Sequence, residues 1–156
     1  MTNRFLAHSR AKYPIIQAPM GWIARSQLAS AVCNAGGLGI IETSSGETDI
    51  CKAEIEKMFT LTDAPFGVNL PILFLKDDAM LDFICSSGVK FVTTSAGSPS
   101  KFVGPLKEAG ITVYHAVPTV EAAIRCVEAG IDGLVVEGGE GGGFKNPEEV
   151  STLVLL

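Results

Sequence analysis

Five glycines and two carboxylates crowd into one short stretch, Glu137-Gly138-Gly139-Glu140-Gly141-Gly142-Gly143. An apolar run, Leu134 to Val136, leads into it, and Phe144-Lys145 follows. The run reads as a buried strand. Glycine has no Cβ, so its backbone can turn sharply and approach a ligand closely. The stretch therefore predicts a ligand site at the carboxyl end of a strand. A plain surface turn rarely needs so many glycines together with two carboxylates. Other polar groups end similar apolar runs: Gln17 through Met20, Glu42-Thr43, Asn69, Ser95 through Gly97, and His115. Each alone has a structural use. Gln17 could satisfy a strand end, Asn69 could cap a turn, Pro19 could stop a strand, and His115 could bond to backbone. Their recurrence at strand ends is what points to one pocket.

The elements that position these groups repeat. Pro14–Ala18, Leu38–Ile41, Phe66–Leu70, Lys90–Thr94, Ile111–Val117 and Ile131–Val136 read as short strands. Between them run helical segments at about 27–35, 47–61, 78–86, 100–109 and 119–129, and Asn146-Pro147-Glu148-Glu149 reads as a further helix start. In the first helix Leu28, Ala31 and Val32 form the expected apolar face; in the second, Ile50, Ile55, Met58 and Phe59. Gly36, Gly88, Gly110 and Gly130 close helices just before the next strand. Alternating strands and helices imply a parallel sheet with right-handed crossovers. Residues 1–156 read as one domain. Two α/β architectures compete, an open doubly wound sheet and a (β/α)8 barrel. In both, the strand carboxyl ends share one edge, where ligands bind. The apolar end, Leu153-Val154-Leu155-Leu156, favours the barrel, truncated to its first six β/α units.

Composition narrows the function classes. Apolar residues make up 47 % of 156 and charged residues 19 %, a balance suited to strands covered on both faces. The net charge is -5 and no lysine or arginine cluster appears. Nucleic acid and anionic membrane surfaces are thus not expected partners. No apolar run approaches the roughly 20 residues of a membrane helix. Met1 through Pro14 holds no signal-peptide core, so a cytoplasmic location is expected. Cys33, Cys51, Cys85 and Cys126 form no Cys-x-x-Cys pair and fall in helical segments. Reduced thiols, with no metal site and no disulfide, are expected.

Several motifs occur in an order that resembles the nitronate monooxygenase family, once called 2-nitropropane dioxygenases. They are Pro14-Ile15-Ile16-Gln17-Ala18-Pro19-Met20, then Asn34-Ala35-Gly36-Gly37-Leu38-Gly39, then Pro65-Phe66-Gly67-Val68-Asn69-Leu70, then Ala129 through Gly143. Flavin-type enoyl-acyl-carrier-protein reductases share them. The resemblance implies a (β/α)8 barrel that binds FMN. It implies cofactor contacts at Ala18, Pro19, Met20, Gly21, Asn69, Glu137, Gly142 and Gly143. It implies an oxidoreductase that turns a nitronate and dioxygen into a carbonyl compound and nitrite. One alternative is an NAD(P)H-dependent flavin reductase of enoyl thioesters or quinones. The other is a catalytically impaired or truncated homologue that only binds flavin. The expected partners are a small-molecule substrate, NAD(P)H under the first alternative, and further copies of the chain. Phe144 stands where the family carries its catalytic histidine. It cannot exchange a proton, and removing a proton from a neutral nitroalkane requires a base in reach. His115 is then the candidate catalytic group. Barrel phosphate sites usually come from the loops after strands seven and eight, neither of which is present here.

Overall fold

A computed structural model describes residues 3–142 and 150–156. Its sheet has six strands: β1 (Ile16–Gln17), β2 (Leu38–Ile41), β3 (Gly67–Pro71), β4 (Phe91–Ser95), β5 (Thr112–Val117) and β6 (Gly133–Val136). Every neighbouring pair is parallel, and spatial order equals chain order, β1-β2-β3-β4-β5-β6. That order decides between the two architectures. A doubly wound sheet reverses direction at a switch point. Here the chain never reverses, so right-handed crossovers place the helices on one side. The result is a curled partial barrel, matching a truncated (β/α)8 fold.

The outer face carries α2 (Ser26–Asn34), α3 (Thr48–Leu61), α4 (Ala79–Ser87), α5 (Ser100–Glu108) and α6 (Val120–Glu128). Ile41, Val68, Leu70, Val92 and Val113 pack there against Ala29, Ile55, Met58, Ile84 and Leu106. Helix α2 lies so close to β2 that a Cβ on Gly39 would come within 2.2 Å of the Ala29 carbonyl oxygen. The α2 and α3 faces differ from those read off the sequence. In α2, Ser26, Ala29, Ser30 and Cys33 are buried. In α2 the side chains that face the sheet are smaller and more polar than the ones hydropathy selects. In α3 the reading holds in part: Ile55 and Met58 are buried as expected, joined by Cys51, while Ile50 and Phe59 are exposed.

Gly36, Gly88, Gly110 and Gly130 follow their helices with φ of 98°, 94°, 70° and 86°. This is the left-handed region, where only glycine sits without a Cβ penalty. Thr119 caps α6, accepting from the Ala122 N–H at 3.2 Å.

The inner face has its own small core of Leu38, Ile40, Phe91 and Tyr114. An additional helix, α1 (Arg4–Ser9), covers it. Hydropathy alone does not signal α1. Asn3 caps it by accepting from the Phe5 N–H at 3.0 Å. Phe5 meets Phe91 and Tyr114 edge-on, with centroids 6.2 and 6.3 Å apart. The Tyr114 ring leaves room only for glycine at Gly133, where a Cβ would lie 2.4 Å from it. His8 Nδ1 lies 3.0 Å from the Tyr114 hydroxyl. Among the described residues, no helix is long and apolar enough to cross a membrane. A short helix, α7 (Thr152–Leu155), ends the chain.

Candidate functional site

The inner face changes character along the strands. Near their amino ends it is apolar, with Phe91 and Tyr114 beneath α1. Toward the carboxyl ends it becomes polar. Asn69 and Thr93 are register partners on β3 and β4, as are Pro71 and Ser95. The Thr93 hydroxyl donates to Asn69 Oδ1 at 2.8 Å. Asn69 Nδ2 donates to Ser95 Oγ at 3.3 Å. The amide nitrogen carries two protons, so one N–H remains for a further acceptor. Asn69 is buried, and its backbone carbonyl accepts from Thr43 Oγ at 2.7 Å.

The β1–α2 loop forms the next wall. Gln17 ends β1 and donates through Nε2 to the carbonyls of Ala18 (2.5 Å) and Ile40 (3.2 Å). Its Oε1 is buried without a hydrogen-bond partner. Gln17 pairs in register with Gly39, whose Cβ position meets Ala29 of α2, so the Gln17 side chain leaves β1 on the helix-facing side. Ala18, Pro19, Met20 and Gly21 then turn tightly, the Met20 carbonyl accepting from Ile23 (3.0 Å) and Ala24 (2.8 Å). Trp22 follows with φ 58°. For a bulky side chain this left-handed conformation costs on the order of 1–3 kcal/mol.

Glu42, just past β2, is 1 % exposed and holds this loop. Its Oε1 accepts from Arg25 Nε at 3.1 Å and from the Trp22 N–H at 3.2 Å. Its Oε2 accepts from the Ser44 N–H at 2.8 Å and the Ser44 hydroxyl at 2.7 Å. The sequence marks Glu42 as a polar strand end but gives no sign of this network.

The glycine stretch lies past β6. The Glu137 N–H donates to the Val117 carbonyl at 3.1 Å, extending the sheet pattern by one residue. Burial alone pushes the Glu137 carboxyl above its ordinary range. Gly141 folds against Glu137, whose carboxylate leaves no space for a side chain there. The Gly138 N–H donates to Thr152 Oγ at 3.0 Å, and Glu140 accepts from the Thr152 N–H at 3.0 Å. Gly142 is exposed with open space around it. Gly143 and Phe144 lie outside the described residues.

His115 is set apart from the other candidates. It pairs in register with Thr94, which pairs with Leu70 of the outer core. It is thus on the helix-facing side of β5, with the same parity as Val113. It is 4 % exposed, and its Nδ1 lies 2.7 Å from Thr94 Oγ. Burial lowers its pKa from 6.5 to about 4, against the opposing effect of a backbone hydrogen bond at Gly97. A neutral ring held between sheet and helices suits packing and hydrogen bonding in that layer.

Comparison with known proteins identifies the family. The nitronate monooxygenase family model matches residues 3–83 and 75–156. A Mycobacterium tuberculosis enzyme named (3aS,4S,5R,7aS)-5-hydroxy-7a-methyl-1-oxo-octahydro-1H-indene-4-carboxyl-CoA dehydrogenase is 34 % identical over 145 residues, 93 % of this chain and 40 % of that one. A nitronate monooxygenase of Pseudomonas aeruginosa is 30 % identical over 202 residues, covering 100 % of this chain and 58 % of that one. The structure of FabK from Thermotoga maritima superposes with a TM-score of 0.93 at 34 % identity, over 99 % of this chain and 49 % of that one. The chain thus spans 40 % to 58 % of the length of these relatives. It belongs to the nitronate monooxygenase family of oxidoreductases.

Proposed function

We propose that the chain supplies the flavin-binding wall of an FMN-dependent oxidoreductase of the nitronate monooxygenase type, converting a nitronate and dioxygen to a carbonyl compound and nitrite. The observation that carries this is the hydrogen-bonded layer of Asn69, Thr93 and Ser95 on the inner face at the strand carboxyl ends, in which the Asn69 amide keeps one N–H to spare. Gln17 stands outside this layer, because it pairs with Gly39, whose Cβ position meets the Ala29 backbone of α2. A flavin ring edge carries carbonyl acceptors, which the remaining Asn69 N–H can meet. The residues that would hold the flavin are Ala18 through Gly21 by backbone, Asn69 by side chain, and Glu137, Gly142 and Gly143 past β6. When bound, flavin supplies the electron transfer, and the protein supplies binding, orientation and exclusion of water.

Phe144 divides the substrates. A nitronate is already deprotonated and needs a base less, whereas a neutral nitroalkane does need one. The chain is therefore suited to nitronates. The direct test is the absorption spectrum of the purified protein with and without added FMN. A flavin band that stays with the protein through gel filtration is expected; a colourless protein that takes up no FMN overturns the proposal. Phe144→His is expected to raise neutral-nitroalkane turnover by about a hundredfold or more, with nitronate turnover little changed.

The similarity to a carboxyl-CoA dehydrogenase supports a second reading. In it NAD(P)H reduces the same flavin, which then reduces an enoyl thioester or a quinone. Anaerobic mixing separates the two. Bleaching by NADH favours the reductase, and bleaching by a nitronate alone favours the oxygenase.

A further inference from the structure

We propose that Glu42, paired with Arg25, is the positioning residue that holds the Ala18–Trp22 turn in its flavin-receiving conformation. This rests on the flavin reading above.

Glu42 stands between two loops and binds both. From the β1–α2 loop it takes the Trp22 N–H and the Arg25 Nε–H; from the loop after β2 it takes the N–H and hydroxyl of Ser44. Its own N–H donates to the Ala24 carbonyl at 3.0 Å. Arg25 extends the network to Ser45 Oγ and Glu47, both at 3.2 Å. Each Glu42 oxygen accepts two bonds, so the carboxylate meets donors on both sides. Charge-assisted bonds of this kind are about twice as strong as neutral ones.

The held conformation is one the chain would not choose locally. Trp22 sits at φ 58°, and its side chain is 68 % exposed, so packing of the indole does not impose the geometry. The bond from its N–H to a buried carboxylate does. Immediately before it stand Ala18 through Gly21, the backbone proposed to lie against the ring. Releasing Trp22 releases that backbone.

The test uses the chain's single tryptophan. Trp22 fluorescence reports on this turn directly. In the wild type, added FMN or riboflavin is expected to quench it. In Glu42→Gln, an amide must turn N–H groups toward either Arg25 and Trp22 or Ser44, which are themselves donors. The FMN quenching midpoint is expected to rise about tenfold or more. Trp22 anisotropy without flavin is expected to fall while the melting transition stays cooperative. Ser44→Ala removes only the hydroxyl donor and is expected to raise the midpoint about threefold; it decides the matter if Glu42→Gln does not fold. A wild-type FMN midpoint in the folded variants overturns the proposal. No quenching and no FMN uptake in the wild type overturns the flavin reading itself, and this proposal with it.

Discussion

The two ends of the inner face are built from the same strands and do opposite things. At the amino end, Phe5, Phe91 and Tyr114 close the barrel floor with aromatic contacts, and glycine at Gly133 makes room for a ring. At the carboxyl end, Asn69, Thr93 and Ser95 form a hydrogen-bonded polar layer beside the loop that Glu42 clamps. The floor can only exclude water. The rim keeps polar groups in reserve. Stability and binding are therefore expected to separate along one strand, within the span from Phe91 to Ser95.

The sharpest way to break this contrast is at the floor. Phe91 is 1 % exposed and touches aromatic rings on both sides. Phe91→Ala is expected to cost about 3–5 kcal/mol, the range for truncating a buried aromatic, measured by urea denaturation. The FMN midpoint of the fraction that stays folded should not move. A large loss of FMN affinity with stability intact would contradict the division.

His115 belongs to neither end, and its effect is the next largest. Its pKa is about 4 in the folded state against an ordinary 6.5. Between these values the unfolded chain binds more protons than the folded one. The stabilisation is complete above about pH 6.5 and is lost as pH falls toward about 4; the gap is worth roughly 3 kcal/mol. In His115→Asn, this part of the pH dependence of unfolding should vanish while FMN affinity near neutrality is kept. A collapse of flavin binding or turnover at neutral pH would return His115 to the site.

Much of the fold was legible because its signals are local. Glycines at 36, 88, 110 and 130 end helices through their own backbone conformation, and short apolar runs mark the strands. The strand order follows from short connections and one handedness of crossover. Helix α1 was not legible, since its role is to meet Phe91 and Tyr114 from far along the chain. The site was legible as a set of strand ends and no further. Sequence shows that Asn69 and His115 both sit near strand carboxyl ends. Only the parity of each strand shows that Asn69 shares the inner face with Thr93, while His115 shares the outer one with Val113. Glu42 was visible as a polar residue, but its four donors come from two loops and fit no motif.

At the rim the expected effect is smaller and falls on binding. Replacing Asn69 and Thr93 together, as Asn69→Leu with Thr93→Val, removes both partners of one buried bond and leaves neither stranded. Such paired replacement is nearly neutral for stability. FMN affinity should fall about tenfold, equivalent to about 1.4 kcal/mol. An unchanged FMN midpoint would remove Asn69 from the cofactor site.

The smallest effect probes a polar contact in the floor. The Tyr114 hydroxyl meets His8 Nδ1 at 3.0 Å, and the ring is otherwise surrounded by Phe5, Phe91 and the Gly133 backbone. Tyr114→Phe keeps the ring and deletes the bond. The His8 ring is partly exposed and can turn to water, so no buried group is stranded. The loss should be about 1 kcal/mol, the net worth of a single hydrogen bond. If the floor acts only by excluding water, this variant should bind FMN as the wild type does, because the lost bond lies at the opposite end of the inner face from Asn69. A shift in the FMN midpoint comparable to that of the rim variant would mean that α1 sets the spacing of the rim through Tyr114. The two ends would then be coupled rather than separate.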